Sequence, residues 1–222
     1  MILVVCATEF EMQALTDLVT PRQDEWCSLV TGVGMVETTL SISRFLEQQE
    51  NKNKFQSVFN FGVAGAYLRK NKESADLLEV CLAEQEVFGD FGICHPDHIE
   101  PLAEHLMYST TYKLDEKLLD NAEALLLQEN LQVMRGNFVT VCGVSGTKSR
   151  GDILCSQYDG LCENMEGAAV ARVCDAFNLS LLEIRTISNF VEDRDLARWK
   201  LADACVEAGK AVAILLKGLT IS

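Results

Sequence analysis

Short runs of Val, Ile, Leu and Phe recur along the chain, most of them followed by a stretch with helical spacing. This alternation constrains the fold more than any other feature. Ile2 to Cys6, Cys27 to Val30, Ser57 to Phe61, Phe138 to Val144 and Leu181 to Ile187 read as buried strands. Thr8 to about Val19, about Val36 to Glu47, Leu114 to Leu131, Glu166 to Phe177 and about Leu196 to Leu216 read as helices. Leu77 to Phe88 fits one long strand or two short ones. Apolar strands separated by helices predict an α/β fold with a largely parallel sheet covered on both faces. No internal repeat or linker breaks the pattern, so residues 1–222 are expected to form a single domain. The segment from Gly89 to Pro101 reads as loop.

Charge and cysteine usage bound the partners. A formal charge of −14 repels a phosphate backbone and an anionic bilayer alike, so no nucleic acid and no membrane partner is expected. Hydrophobic residues make up 48% of the chain, yet no apolar run approaches the roughly 20 residues of a membrane span. The opening MILVVCA is too short for a signal h-region with flanks. Nine scattered cysteines without a CxxC pair argue for free thiols in a reducing, cytoplasmic compartment.

Four segments with small or polar residues follow predicted strands: ATEFE, TGVG, GVAGA and the Ser188–Asn189 pair. In a parallel sheet such ends lie along one edge, where α/β enzymes bind ligands. TGVGMVE suggests a dinucleotide fingerprint, but Glu37 in the third glycine position and the lack of an acidic residue in a second-strand context argue against that reading. Its glycines either bring the backbone close to a sugar or base or form a tight turn. Thr8 and Glu11 have capping-box spacing; Glu11 also reads as a carboxylate at the sheet edge, where burial favours general-base use. Glu166 in NMEGAA suits a helix start, and the small residues after it suit close packing against a pocket. Arg185, inside an apolar strand, requires a charged partner. Cys94, His95, Asp97 and His98 are crowded into CHPDH, but no second segment supplies further ligands, so a loop is expected and no metal. His105 reads as a surface helix residue. No GxSxG elbow is present.

Taken in order, ATEFE, TGVG, FNFGVAGA, NMEGAA and RTISN resemble the purine nucleoside phosphorylase and nucleosidase superfamily over nearly the whole chain. Within it, Ser188 to Asp195 followed by Trp199 is most similar to the futalosine hydrolases of menaquinone biosynthesis. The resemblance implies a single α/β domain around a central mixed, partly barrel-like sheet flanked by helices. It also implies cleavage of an N-glycosidic bond without cofactor, a small-molecule purine nucleoside as substrate, and a homo-oligomer. The matching positions make Glu11 the base toward water, Glu166 the carboxylate on the ribose hydroxyls, Met165 a wall against the sugar, and Arg185 a charge beside the water and Glu166.

Two departures are informative. Methylthioadenosine/S-adenosylhomocysteine nucleosidases carry an aspartate where this chain has Asn189. An amide donates to a 6-oxo group while its oxygen accepts from a protonated N7, which favours hypoxanthine or guanine. The related phosphorylases hold phosphate with an arginine and a serine where this chain has Asn60 and Val63, so water is the expected nucleophile. Val63, Ala64, Gly65 and Ser188 are expected to line the site. Backbone near Ser145 and Gly146 in CGVSGT is expected to meet the base, and Phe190 and Trp199 either line the pocket or pack the last helix. A methylthioadenosine-type or other purine nucleosidase, or a catalytically silent nucleoside-binding protein, remain as alternatives.

Overall fold

The computed structural model describes residues 1–20, 25–48, 54–106 and 108–219. In chain order they form β1 (Ile2–Cys6), α1 (Glu9–Thr16), β2 (Trp26–Val30), α2 (Met35–Glu47), β3 (Ser57–Ala66) and β4 (Val80–Phe88). A two-residue hairpin follows, β5 (Ile93–Cys94) with β6 (Ile99–Glu100), then a 3₁₀ turn over Glu104–Leu106 that exposes His105. The chain continues through β7 (Thr111–Lys113), α3 (Glu116–Gln128), β8 (Val133–Thr140), α4 (Lys148–Tyr158), β9 (Gly160–Asn164), α5 (Gly167–Phe177), β10 (Ser180–Phe190) and α6 (Leu201–Leu219).

The sheet is mixed and partly closed. β3, β10, β4, β8 and β9 pair in succession, and β9 returns to β3, completing a ring. β1 and β2 extend from the first half of β3 as a parallel flap. The expectation of a largely parallel sheet therefore needs correction at β4–β10, β3–β9 and β4–β7, which run antiparallel. Residues from all five ring strands, among them Ala64, Ala66, Cys81, Ala83, Phe138, Leu161, Cys162 and Ile187, pack into one cluster. Closing so few strands leaves little room, and Ala and Cys at these positions suit that confinement. Outside the ring, α1, α3 and α6 cover one face and α2 with α5 another, which accounts for the two largest apolar clusters.

How β3 pairs decides where a site can form. Ser57 to Asn60 pair with β1, whereas Gly65 and Ala66 pair with β9 on the same flank. Between them the sheet splits, and the backbone from Phe61 to Ala64 is released on that side while β10 holds the other. The glycine-rich GVAGA is thus the second half of a strand and not a turn after it. The Ser188–Asn189 pair likewise lies within β10, at a bulge between Ile187 and Asn189. β8 begins and ends earlier than Phe138 to Val144, because Val133 to Gly136 pair with β4, and the chain leaves the sheet after Thr140.

Helix α3 shows how local chemistry fixes a boundary. Asp115 accepts from Leu118 N at 3.0 Å as N-cap and from Ser180 Oγ at 2.7 Å, tying the helix to the start of β10. These donors, Ser180 foremost, hold its carboxyl below the usual range. Asp115→Ala is expected to cost about 0.5–2 kcal/mol in urea unfolding. A depressed pKa contributes stability above the unfolded value, so this loss should shrink as pH falls through the folded one.

Candidate active site

A cavity of about 370 Å³ opens where the sheet splits, a volume suited to a small ligand. Ala7 and Thr8 reach it from the end of β1, Glu11 from α1, Val33 from the TGVG turn, Val63 to Gly65 from β3, and Ser188 with Asn189 from β10. All four segments singled out in the sequence therefore meet there. Larger hollows beside Tyr108 and Asp115, and beside Asp97 and Asp152, bring no buried carboxylate or arginine together.

Glu11 closes the capping box and also lines the cavity. Thr8 Oγ1 and Thr8 N donate to Glu11 Oε2 at 2.8 and 3.0 Å, and Glu11 N returns to Thr8 Oγ1 at 3.2 Å. The capping box thus ties down one oxygen and turns the other toward the released edge of β3, where Val63 N donates to Oε1 at 3.3 Å. Burial raises the Glu11 pKa, against the pull of Arg185 and the Thr8 hydroxyl. Gly62 permits this approach: a Cβ there would lie 2.5 Å from Glu11 Oε1 and 2.9 Å from Arg185 Nη1.

Glu166 is the N-cap residue of α5. Its Oε1 accepts from Gly34 N at 2.9 Å, so the TGVG turn supplies a backbone donor to a carboxylate. Gly34 sits at φ 87°, a conformation glycine adopts without strain. Arg185 is 2% exposed and faces Glu166 at 3.5 Å, but its shorter partner is Glu183, with Nε and Nη2 both 2.9 Å from Glu183 Oε1. Burial opposes the guanidinium charge, and Glu183, Glu166 and Glu11 outweigh it, so Arg185 stays cationic. Glu183 stands in the same strand two residues earlier, where alternation alone shows it as one more inward position.

On the opposite wall Ser188 Oγ donates to Asn189 Oδ1 at 2.9 Å, and Asn189 Nδ2 donates to Phe190 O at 3.1 Å. Each amide atom keeps one further hydrogen-bonding capacity. Met165, Trp199, Leu201 and Cys205 complete an apolar lining, so Trp199 is a pocket residue, while Phe190 packs against the ring cluster. The expectation for Ser145 and Gly146 needs correction. Ser145 N and Oγ both donate to Glu163 at 2.7 Å, and Gly146 O accepts from Arg194 N, so Val144 lines the cavity instead. Glu163, also hydrogen-bonded by Tyr67 Oη at 3.2 Å and raised in pKa by burial, and Asn164 line the cavity without having been anticipated. A carboxylate and an amide in a short strand rich in Gly and Cys give no periodic signal.

The CHPDH loop gains a third potential ligand, Glu100, from across the β5–β6 hairpin; ligand atoms of His95, His98 and Glu100 lie within 4.8 Å of one another. The two imidazoles stack at 4.4 Å with planes 9° apart, so their in-plane lone pairs do not converge on one point. All nine cysteines are free thiols. Among the described residues no helix is long and apolar enough to cross a membrane.

The chain matches the model of the phosphorylase superfamily over residues 23–220. It is 30% identical to a futalosine hydrolase of Thermus thermophilus, covering 85% of this chain and 80% of that one. It is 27% identical to a 5′-methylthioadenosine/S-adenosylhomocysteine nucleosidase of Bacillus cereus over 72% of this chain and 66% of that one. The solved structure of Helicobacter pylori futalosine hydrolase superposes with a TM-score of 0.82 at 20% identity, covering 97% of each chain. Both the extent of the sequence match and the partly closed sheet place the chain in the phosphorylase superfamily.

Proposed function

We propose that the protein hydrolyses the N-glycosidic bond of a 6-oxopurine nucleoside, futalosine, releasing hypoxanthine and dehypoxanthinylfutalosine for menaquinone biosynthesis. The observation that carries this reading is the meeting of Glu11, Glu166 and Arg185 on one side of a cavity whose other side presents Asn189. The relatives named futalosine hydrolase support the substrate.

Cleavage passes through a ribose with oxocarbenium character and a purine gaining negative charge. Water attacks C1′ as the bond to the purine breaks, and Glu11 Oε1 takes the water proton. Glu166 holds the ribose hydroxyls with Met165 against the sugar, and Arg185 fixes the water and Glu166 by its charge. The departing base takes up one proton from solvent, and Glu11 returns the water proton to solvent, so that only water is consumed. Asn189 Oδ1 accepts from the protonated N7, and Nδ2 donates to the 6-oxo group, with Ser188 setting which amide atom faces which way. Val63, Ala64 and Gly65 form an uncharged wall at the nucleophile side, which favours water over phosphate. Free thiols support a reducing cytoplasm. The exposed apolar side chains of Val33, Val36 and Leu40 support a homo-oligomer.

Purified protein incubated with futalosine, inosine or methylthioadenosine tests the reading. Hypoxanthine should appear from futalosine at the same rate with and without phosphate. Release of adenine from methylthioadenosine, with no hypoxanthine from futalosine, would overturn it. Asn189→Asp puts an acceptor against the 6-oxo group. Its selectivity for futalosine over methylthioadenosine should fall by the equivalent of about 1–3 kcal/mol, read as a ratio of kcat/KM values.

A further inference from the structure

Below the cavity floor two carboxyl groups are fully buried, Glu86 on β4 and Glu183 on β10. Both reach under the first residue of α5, where a Cβ on Gly167 would run into Glu86 Oε1 and Glu183 Oε1. We infer that Glu86 is kept as a neutral carboxylic acid and in that form positions Glu166 and Arg185, through Thr140 and Asn164 on one side and Glu183 on the other. What Glu166 and Arg185 do rests on the hydrolase reading above.

Hydrogen counting between the two carboxyls requires one proton, because Glu86 and Glu183 are hydrogen-bonded to each other and two carboxylates have no hydrogen to share. Thr140 Oγ1 accepts from Ala168 N at 2.8 Å and lies 2.7 Å from Glu86 Oε2 and 3.1 Å from Asn164 Oδ1. The Thr140 hydroxyl donates to Glu86 Oε2, and Asn164 Oδ1 is filled without it by two backbone donors of its own. The proton on Glu86 is then free to reach the Glu183 carboxylate beside it. Asn164 Nδ2 in turn donates to Glu86 Oε1 at 2.6 Å. Asn164 Oδ1 then receives Glu166 N at 2.9 Å and Gly167 N at 2.7 Å, so the acid ends a chain that fixes the start of α5 and the backbone of Glu166.

Charge counting leads to the same proton. One guanidinium faces Glu11, Glu166, Glu183 and Glu86, and four ionised carboxylates around it would leave a large uncompensated charge in the interior. Glu183 forms the direct ion pair with Arg185, which favours its ionised form. Burial and the adjoining Glu183 carboxyl oppose ionisation of Glu86, and they outweigh the donation from Thr140 and Asn164 that favours its carboxylate. The remaining titratable neighbours are the thiols of Cys162, facing Glu86, and Cys174, facing Glu183. Burial keeps both neutral.

Glu86→Gln decides the matter, because an amide donates to Glu183 and accepts from Thr140 as the neutral acid does. Turnover of futalosine by this variant should stay within about threefold of wild type, whereas Glu86→Ala and Glu183→Gln should each lower kcat by about tenfold or more. The infrared C=O stretch of a buried carboxylic acid should be present in the wild type at neutral pH and absent from Glu86→Gln. A wild-type native state that binds this proton loses stability relative to Glu86→Gln as pH rises above the ordinary value of 4.5. The ratio of their unfolding constants should change by up to about tenfold per pH unit until the folded pKa is passed. A missing infrared band, or a Glu86→Gln variant as impaired as Glu86→Ala, would overturn the inference. Should wild-type protein cleave no nucleoside, the hydrolase reading fails, while the band and the pH-dependent stability still decide the state of Glu86.

Discussion

Glu11→Gln should lower futalosine turnover by about 10²–10⁴-fold while leaving nucleoside binding measurable. The amide keeps the shape of the side chain and still accepts from Thr8, so the capping box and α1 persist. What disappears is the oxygen able to take a proton from water. Calorimetric binding of inosine to the inactive variant separates an enzyme from a silent binding protein, since only the enzyme has turnover to lose. The wild-type rate should fall on the acidic side, as protonating Glu11 removes the base. Burial has raised this carboxyl, so the limb should lie above the ordinary 4.5. The same shift has an energetic sign. A raised folded pKa contributes stability that is complete below the unfolded value and is lost as pH rises through the folded one. Glu11→Gln should therefore gain stability over wild type across that window, so the base is maintained at a cost to the fold.

What could be read from the residues depended on how local each signal was. The capping box of Thr8 and Glu11 is confined to one helical turn, and it marked both the start of α1 and a residue that lines the cavity. Ile2 to Cys6 is buried along nearly its whole length, and a continuous apolar run reports that directly. GVAGA misled because glycine ordinarily punctuates a strand. Here Gly62 is small so that Glu11 and Arg185 can approach the backbone, a requirement set by α1 and β10 and invisible within β3. Helix α4 went unseen because it buries only Gly151 and Leu154, and β9 because its five residues include Glu163 and Asn164. The partner demanded by Arg185 was sought across the chain in Glu166, yet the nearer one lies two residues away in Glu183. Glu86 gave no sign at all, since its burial depends on β8, β9 and β10 closing around it.

Arg185→Met carries the largest expected effect on stability. It removes the cation that Glu183, Glu166, Glu11 and Glu86 all face, and leaves Glu183, with no measurable exposure, as an unpaired acid. Breaking one side of a buried pair costs about 3–5 kcal/mol, and urea unfolding at neutral pH should show a loss of that size. Arg185 lowers the pKa of both Glu183 and Glu11, so without it their folded values rise further. The variant's native state then holds more protons than its unfolded state over a wider range, and its deficit should be small at about pH 5 and larger at about pH 8. A deficit that did not change with pH would mean that lost packing of the long side chain, and not the orphaned carboxylates, is the cause. Adding Glu183→Leu to Arg185→Met separates the two causes again. Removing the stranded acid should recover part of the stability lost by the single variant, because an apolar pair of similar volume carries no desolvation cost. Turnover should not recover with it, since Glu166 and the attacking water would still lack the charge that orders them.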